Sequence, residues 1–243
     1  VKNEYPKDVL LIGDSHAGHL TYFFNYVGSK EGWNVKLLNL NSDDEECKFP
    51  ISAQGEIINN PVCLNNLEAI KKYKVVILSY YYDLYSADYP VFDRNNRDRY
   101  IHPDFYQQFY EFVKYLSKDK IVYVFSDVYT VSYHPKKYRQ LSYFGLEKYI
   151  PGGKPIHKFE FSKESNEKIK NTIISLPNVY WVDITPYTPD VLVNGEFTYS
   201  DRDHITPFAA YLTAVNFEKE RRLLPESVVK RLQGDLAPDQ SVK

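Results

Sequence analysis

Val9-Leu10-Leu11-Ile12-Gly13-Asp14-Ser15-His16 is an apolar run that stops at a glycine, an acid and a serine. A short continuous apolar run bounded by turn-forming residues reads as a strand buried on both faces, as in a parallel sheet. The period then changes. Leu20, Phe23, Phe24 and Val27 recur at helical spacing and predict a helix ended by Gly28 or Gly32. Four more runs read as strands: Val35 to Leu38, Val75 to Ser79, Ile121 to Phe125 and Val179 to Asp183. Helical patterns separate them. One lies near Leu64 to Tyr73, and one carries Phe105, Phe109, Phe112, Val113 and Leu116 on a single face. Two others span Ser162 to Leu176 and Pro207 to Leu224. Strands alternating with helices imply βαβ units, hence a parallel sheet covered on both faces. The expected architecture is α/β, in three α/β/α layers. Tyr80 to Tyr100 and Asp127 to Lys158 read as long irregular segments, and Gly234 to Lys243 as a frayed tail. With no internal repeat and no linker, 1–243 reads as one domain.

In an open α/β sheet, ligands sit at the carboxyl ends of the strands. Gly13-Asp14-Ser15-His16 stands there, at the start of a helix. A serine in that place has an exposed hydroxyl, and the helix N-terminus offers backbone N–H groups to a developing oxyanion. The same residues also suit plain helix capping by Asp14 or Ser15. Near the other end stands Ser200-Asp201-Arg202-Asp203-His204. A serine nucleophile needs a base, and the base needs an orienting carboxylate. Asp201 and His204, three apart, can face one site, whereas Asp203 or Thr206 suits a cap for the helix opened by Pro207. The two motifs together point to nucleophilic acyl chemistry.

Formal net charge is −2 over 243 residues, which gives no electrostatic case for nucleic acid or an anionic membrane. No apolar run is long enough to span a bilayer, and Val1 to Tyr5 lacks the apolar core of a signal peptide. The chain begins with Val and contains no methionine, so it is expected to be a piece of a longer protein. Cys47 and Cys63 flank an irregular stretch with Pro50, Gly55 and Pro61 between them. They are either two buried thiols or a disulfide stabilising by roughly 3 kcal/mol. The disulfide is the expectation, and with it an oxidising compartment. The 23 tyrosines suit a carbohydrate-facing surface or reflect compositional drift.

The early GDSH and the late D-x-x-H resemble the SGNH, or GDSL-type, hydrolase superfamily. Gly13-Asp14-Ser15-His16-Ala17-Gly18-His19 and Asp201-Arg202-Asp203-His204-Ile205-Thr206 look like the periplasmic version fused to type 3 membrane acyltransferases. The resemblance covers nearly the whole chain in layout and two short motifs in sequence. It implies an SGNH-hydrolase-like (flavodoxin-like) fold with Ser15 as nucleophile, His204 as base and Asp201 as orienter. It further implies an O-acyltransferase, with acetyl the expected group, acting on a surface glycan. The acyl donor would come from an integral membrane partner domain, with no cofactor or metal in this domain and a periplasmic location. A local cysteine pair suits that family. The chain departs from it after the second strand, where Asn39 to Asp43 contains no Gly, and after the third, where Ser79 to Asp83 contains no Asn. Ser42 and Tyr81 are the expected substitutes as oxyanion donors beside the Ser15 N–H. His16, His19 and His134 are the expected substrate-contacting residues. Two rival functions are a carbohydrate acetylesterase, with water as acceptor, and a weakly catalytic glycan-binding module.

Overall fold

The computed structural model describes residues 8–40, 47–86, 103–150, 156–159 and 162–232. A five-stranded parallel sheet carries β1 (Asp8–Gly13), β2 (Asn34–Asn39), β3 (Val75–Ser79), β4 (Ile121–Phe125) and β7 (Val179–Val182), in the order β2-β1-β3-β4-β7. Two small antiparallel pairs accompany it: β5 (Thr130–Val131) with β6 (Lys158–Phe159), and β8 (Leu192–Val193) with β9 (Glu196–Phe197). The order 2-1-3-4-5 along the parallel sheet is that of the flavodoxin-like doubly wound folds.

The apolar runs of β1, β3 and β4 are continuous because each feeds two cores, whereas β2, at the sheet edge, is largely exposed. In β1, Val9 and Leu11 enter one cluster and Leu10 and Ile12 the other. β3 repeats the split with Val75 and Ile77 against Val76 and Leu78. The first cluster is covered by α2 (Thr21–Glu31) and α8 (Pro207–Glu220), with α9 (Glu226–Leu232) at its margin. There Phe23 meets Phe217 at 5.3 Å between ring centroids. The second is covered by α3 (Pro61–Lys71), α5 (Phe105–Ser117) and α7 (Ser162–Ile173). Phe105, Phe109, Phe112, Val113 and Leu116 are all buried, as the periodicity of α5 predicts. Truncating a fully buried Phe such as Phe112 costs about 3–5 kcal/mol.

Two glycines mark where the backbone leaves little choice. Gly32 ends α2 in the left-handed region at φ 87°. Gly13 has a different reason from the turn its place suggests: a Cβ there would lie 1.7 Å from the Ser79 carbonyl oxygen of the neighbouring strand. The close approach of β1 and β3 at the site end of the sheet therefore excludes any side chain.

The segment 127–158 is not irregular throughout. It contains β5 and α6 (Pro135–Tyr143), which His134 caps by accepting the Lys136 N–H. Helices α7 and α8 stop sooner than their patterns suggest, at Ile173 and Glu220. Cys47 and Cys63 form a disulfide, with Cα atoms 5.2 Å apart, and pin the irregular stretch to the first turn of α3. Among the described residues no helix is long and apolar enough to cross a membrane.

Candidate active site

Ser15 opens the short helix α1 (Ser15–His19) directly after β1. Asp14 caps that helix. Its Oδ1 accepts the His16 N–H at 2.8 Å, and its Oδ2 accepts the Tyr81 N–H at 3.0 Å and the Tyr85 hydroxyl at 2.7 Å. Asp14 thus ties the end of β1 to the start of α4 (Tyr82–Ser86), and the turn bearing Ser15 is fixed from two sides. The Ser15 N–H is at the first helical position, where the helix has no carbonyl to offer it.

The second half of the site follows the β8–β9 hairpin. Ser200 N–H donates to the His204 carbonyl at 2.9 Å, and Tyr199 bridges Ile205, which closes a tight loop around residues 201–203. Arg202 anchors it to β5: Val131 N–H donates to the Arg202 carbonyl at 2.7 Å, and the guanidinium reaches the Val131 and Ser132 carbonyls. Thr206 then caps α8 by accepting the Ala209 N–H. This loop places His204 Nε2 at 2.8 Å from Ser15 Oγ and His204 Nδ1 at 3.0 Å from Asp201 Oδ2. Asp201 Oδ1 also accepts the backbone N–H groups of Asp203 and His204.

Burial opposes the charged form of His204, but the hydrogen bonds and charges of Asp201 and Asp203 outweigh it and raise its pKa to about 10. Burial likewise works against an ionised Asp201, yet hydrogen bonding to His204 and Asp203 holds its carboxyl well below the usual carboxylate range. The pair therefore favours an imidazolium, the form that arises when a serine hydroxyl gives its proton to the ring. A nucleophilic oxygen, a base in contact with it and a carboxylate orienting the base make an arrangement competent for acyl transfer.

Residues 2–219 match the family described as SGNH domain (fused to AT3 domains). The chain belongs to this SGNH family. No curated protein sequence matches it. Among solved structures, this SGNH domain resembles the periplasmic domain of the Salmonella ser. Paratyphi A lipopolysaccharide acetyltransferase. The TM-score is 0.55 at 14% identity, covering 90% of this chain and 85% of that one. The likeness is one of fold.

The expected oxyanion donors fare unevenly in this SGNH domain. Ser42 lies outside the described residues. Tyr81 lines the site, but its N–H is taken by Asp14 and its ring stacks on His16 at 4.3 Å. Of the three expected substrate-contacting histidines, His16 and His19 lie beside His204, with ring centroids 4.9 and 5.7 Å from it. His134 instead serves as the cap of α6.

The structure adds a second imidazole–carboxylate pair that the sequence did not reveal. Asp127, two residues past β4, meets His16 Nδ1 at 2.6 Å with both side chains buried. Asn166 on α7 clamps the Asp127 backbone, accepting its N–H at 2.8 Å and donating to its carbonyl at 3.0 Å. Burial pushes the Asp127 carboxyl up, to about 6, against the lowering effect of His16. Burial also works against a charged His16, but Asp127 prevails and raises its pKa. His19 is pushed the other way, well below the usual imidazole range, by burial and then by its two histidine neighbours. The position of Asp127 at the carboxyl end of a central strand was the available signal, but its partner stands 111 residues away.

Proposed function

We propose that this domain transfers an acyl group, most simply acetyl, through a serine acyl-enzyme to a hydroxyl of a cell-surface glycan. Ser15 Oγ attacks the carbonyl carbon of the donor while His204 Nε2 takes its proton. The tetrahedral oxyanion collapses and the donor's leaving group departs with the proton from His204. A sugar hydroxyl then attacks the acyl-enzyme, gives its proton to His204, and leaves as the ester as Ser15 is reprotonated. Asp201 holds the ring and its charge throughout. The 2.8 Å contact between Ser15 Oγ and His204 Nε2, with Asp201 behind the ring, carries this reading. The family relation supports the rest: a partner membrane acyltransferase domain that supplies the acyl group, and an extracytoplasmic, periplasmic site of action.

One observation favours a second reading, acetyl-ester hydrolysis. Ser15 is exposed, so water reaches the acyl-enzyme wherever no acceptor covers it. The acyl-enzyme is common to both readings and only the acceptor differs.

The test is hydrolysis of an aryl acetate by the chain beside Ser15→Ala and His204→Ala. Both variants are expected to fall by roughly 10³-fold or more, to background. Wild-type turnover equal to that of Ser15→Ala would remove the serine mechanism. Added glycan acceptors then separate transfer from hydrolysis by the ester product.

A further inference from the structure

Three imidazoles meet beside the nucleophile. The His16 ring lies 4.8 Å from that of His19 and 4.9 Å from that of His204. One ring nitrogen from each of the three lies within 4.8 Å of the other two. Asp127 holds His16 through Nδ1, which leaves Nε2 as its outward atom. That Nε2 is buried without a hydrogen-bond partner among the described residues, and so is Nδ1 of His19. His16 itself is 1% exposed. A buried polar atom left unpaired costs about 1–3 kcal/mol, and here two of them sit together at the one place where the acyl chemistry reads.

A hydrogen bond between the two would satisfy only each other. A cation that accepts imidazole lone pairs satisfies both, and it competes with Ser15 for the Nε2 of His204. Three imidazole nitrogens as ligands suit Zn²⁺ and its late first-row neighbours rather than Mg²⁺ or Ca²⁺. The outer contacts fit as well. Metal-bound histidines commonly give their other ring N–H to a carboxylate, which Asp127 provides for His16 and Asp201 for His204. Tetrahedral zinc holds its nitrogen ligands about 3.4 Å apart, so binding draws the three rings together from a present spacing within 4.8 Å.

We propose that His16, His19 and His204 form a reversible inhibitory site for Zn²⁺. The ion takes the Nε2 lone pair of His204, so Ser15 loses the acceptor for its proton and the acyl-enzyme cannot form. Any proton on the ligating nitrogens leaves as the ion binds. The inhibition rests on the serine mechanism proposed above, whereas the binding does not.

Binding is therefore measured first on the catalytically silent Ser15→Ala variant, freed of metal and titrated with Zn²⁺ against a chromophoric chelator. One ion per chain is expected. His19→Ala and His19→Gln, each shown to be folded by near-ultraviolet circular dichroism, should weaken it roughly tenfold or more, and Asp127→Asn by about 10–100-fold. No binding, or an affinity unchanged in both His19 variants, overturns the site. On wild type, aryl acetate hydrolysis should fall in proportion to zinc occupancy and return with EDTA. Occupancy that leaves hydrolysis intact overturns the inhibitory role. A wild type with no turnover would instead discredit the serine mechanism, with the binding result standing by itself.

Discussion

Asp203 Oδ1 lies 3.0 Å from Nδ1 of His204, the nitrogen that Asp201 already serves. Two carboxylates thus share one imidazole edge, and His204 is held charged to about pH 10. In the proposed mechanism the reactive base is the uncharged ring. Activity should therefore be lost as pH falls through the raised pKa and should still be climbing above neutrality, where an ordinary histidine of pKa ≈ 6.5 would have levelled off. Asp203→Asn removes one anion, so the profile should move to lower pH and the rate at pH 7 should rise. The pH dependence of kcat/KM for aryl acetate hydrolysis, taken in EDTA, reads this directly. A superimposable profile for the variant would mean that Asp203 does not act on the base.

Gly13→Ala should fail at folding rather than at chemistry. The added methyl would stand 1.7 Å from the Ser79 carbonyl oxygen in the adjacent strand, and neither backbone can retreat without breaking the β1–β3 ladder. A loss of about 4 kcal/mol or more is expected, visible as a lowered urea midpoint or as insoluble protein. A variant with wild-type stability would show that the two strands have room to part.

The Cys47–Cys63 disulfide closes a stretch whose Phe49 and Ile51 enter the core beneath α3 and α5. Replacing both cysteines by serine should lower unfolding free energy by about 3 kcal/mol. Under reducing conditions the wild type should approach the double variant. An unchanged denaturation midpoint in both experiments would show that packing alone holds the segment.

On α6 and just after it, Tyr143 and Phe144 are 84% and 69% exposed. The helix leans on the β8–β9 hairpin through Tyr138 against Phe197 and Arg139 against Glu196, and that hairpin leads into the loop of Asp201 and His204. Exposed aromatic faces so linked to the site suit stacking on a sugar ring. Tyr143→Ala with Phe144→Ala should reduce ester formation on a glycan acceptor several-fold. Aryl acetate hydrolysis should stay at the wild-type rate. An equal fall in both rates would place these rings in folding or in the acyl-enzyme step.

The parallel sheet was legible because each central strand is buried on both sides, so runs such as Val75 to Ser79 are apolar without interruption. Helix α5 was legible because one face carries all its large apolar residues. Helix α6 was not, since Pro135 is its only buried residue among those described and no apolar stripe marks it. Ser15, Asp201 and His204 stood out because their residue types recur in two short motifs. Asp127 did not, because nothing local distinguishes it: its role comes from His16, brought to it only when β1 and β4 share a sheet. Gly13 was visible as a glycine, but its true constraint, the carbonyl of Ser79, belongs to another strand.

Ser15 and His204 are separated by 189 positions along the chain, and α8, which follows His204, packs on α2, which follows Ser15. A polypeptide made from its N-terminus therefore carries Ser15 long before His204 exists. Until Pro207–Glu220 docks against Thr21–Glu31, Ser15 lacks its hydrogen bond to His204. The contact between Ser15 and His204 is thus a property of the whole domain, and a half-synthesised chain ending before residue 204 cannot make it.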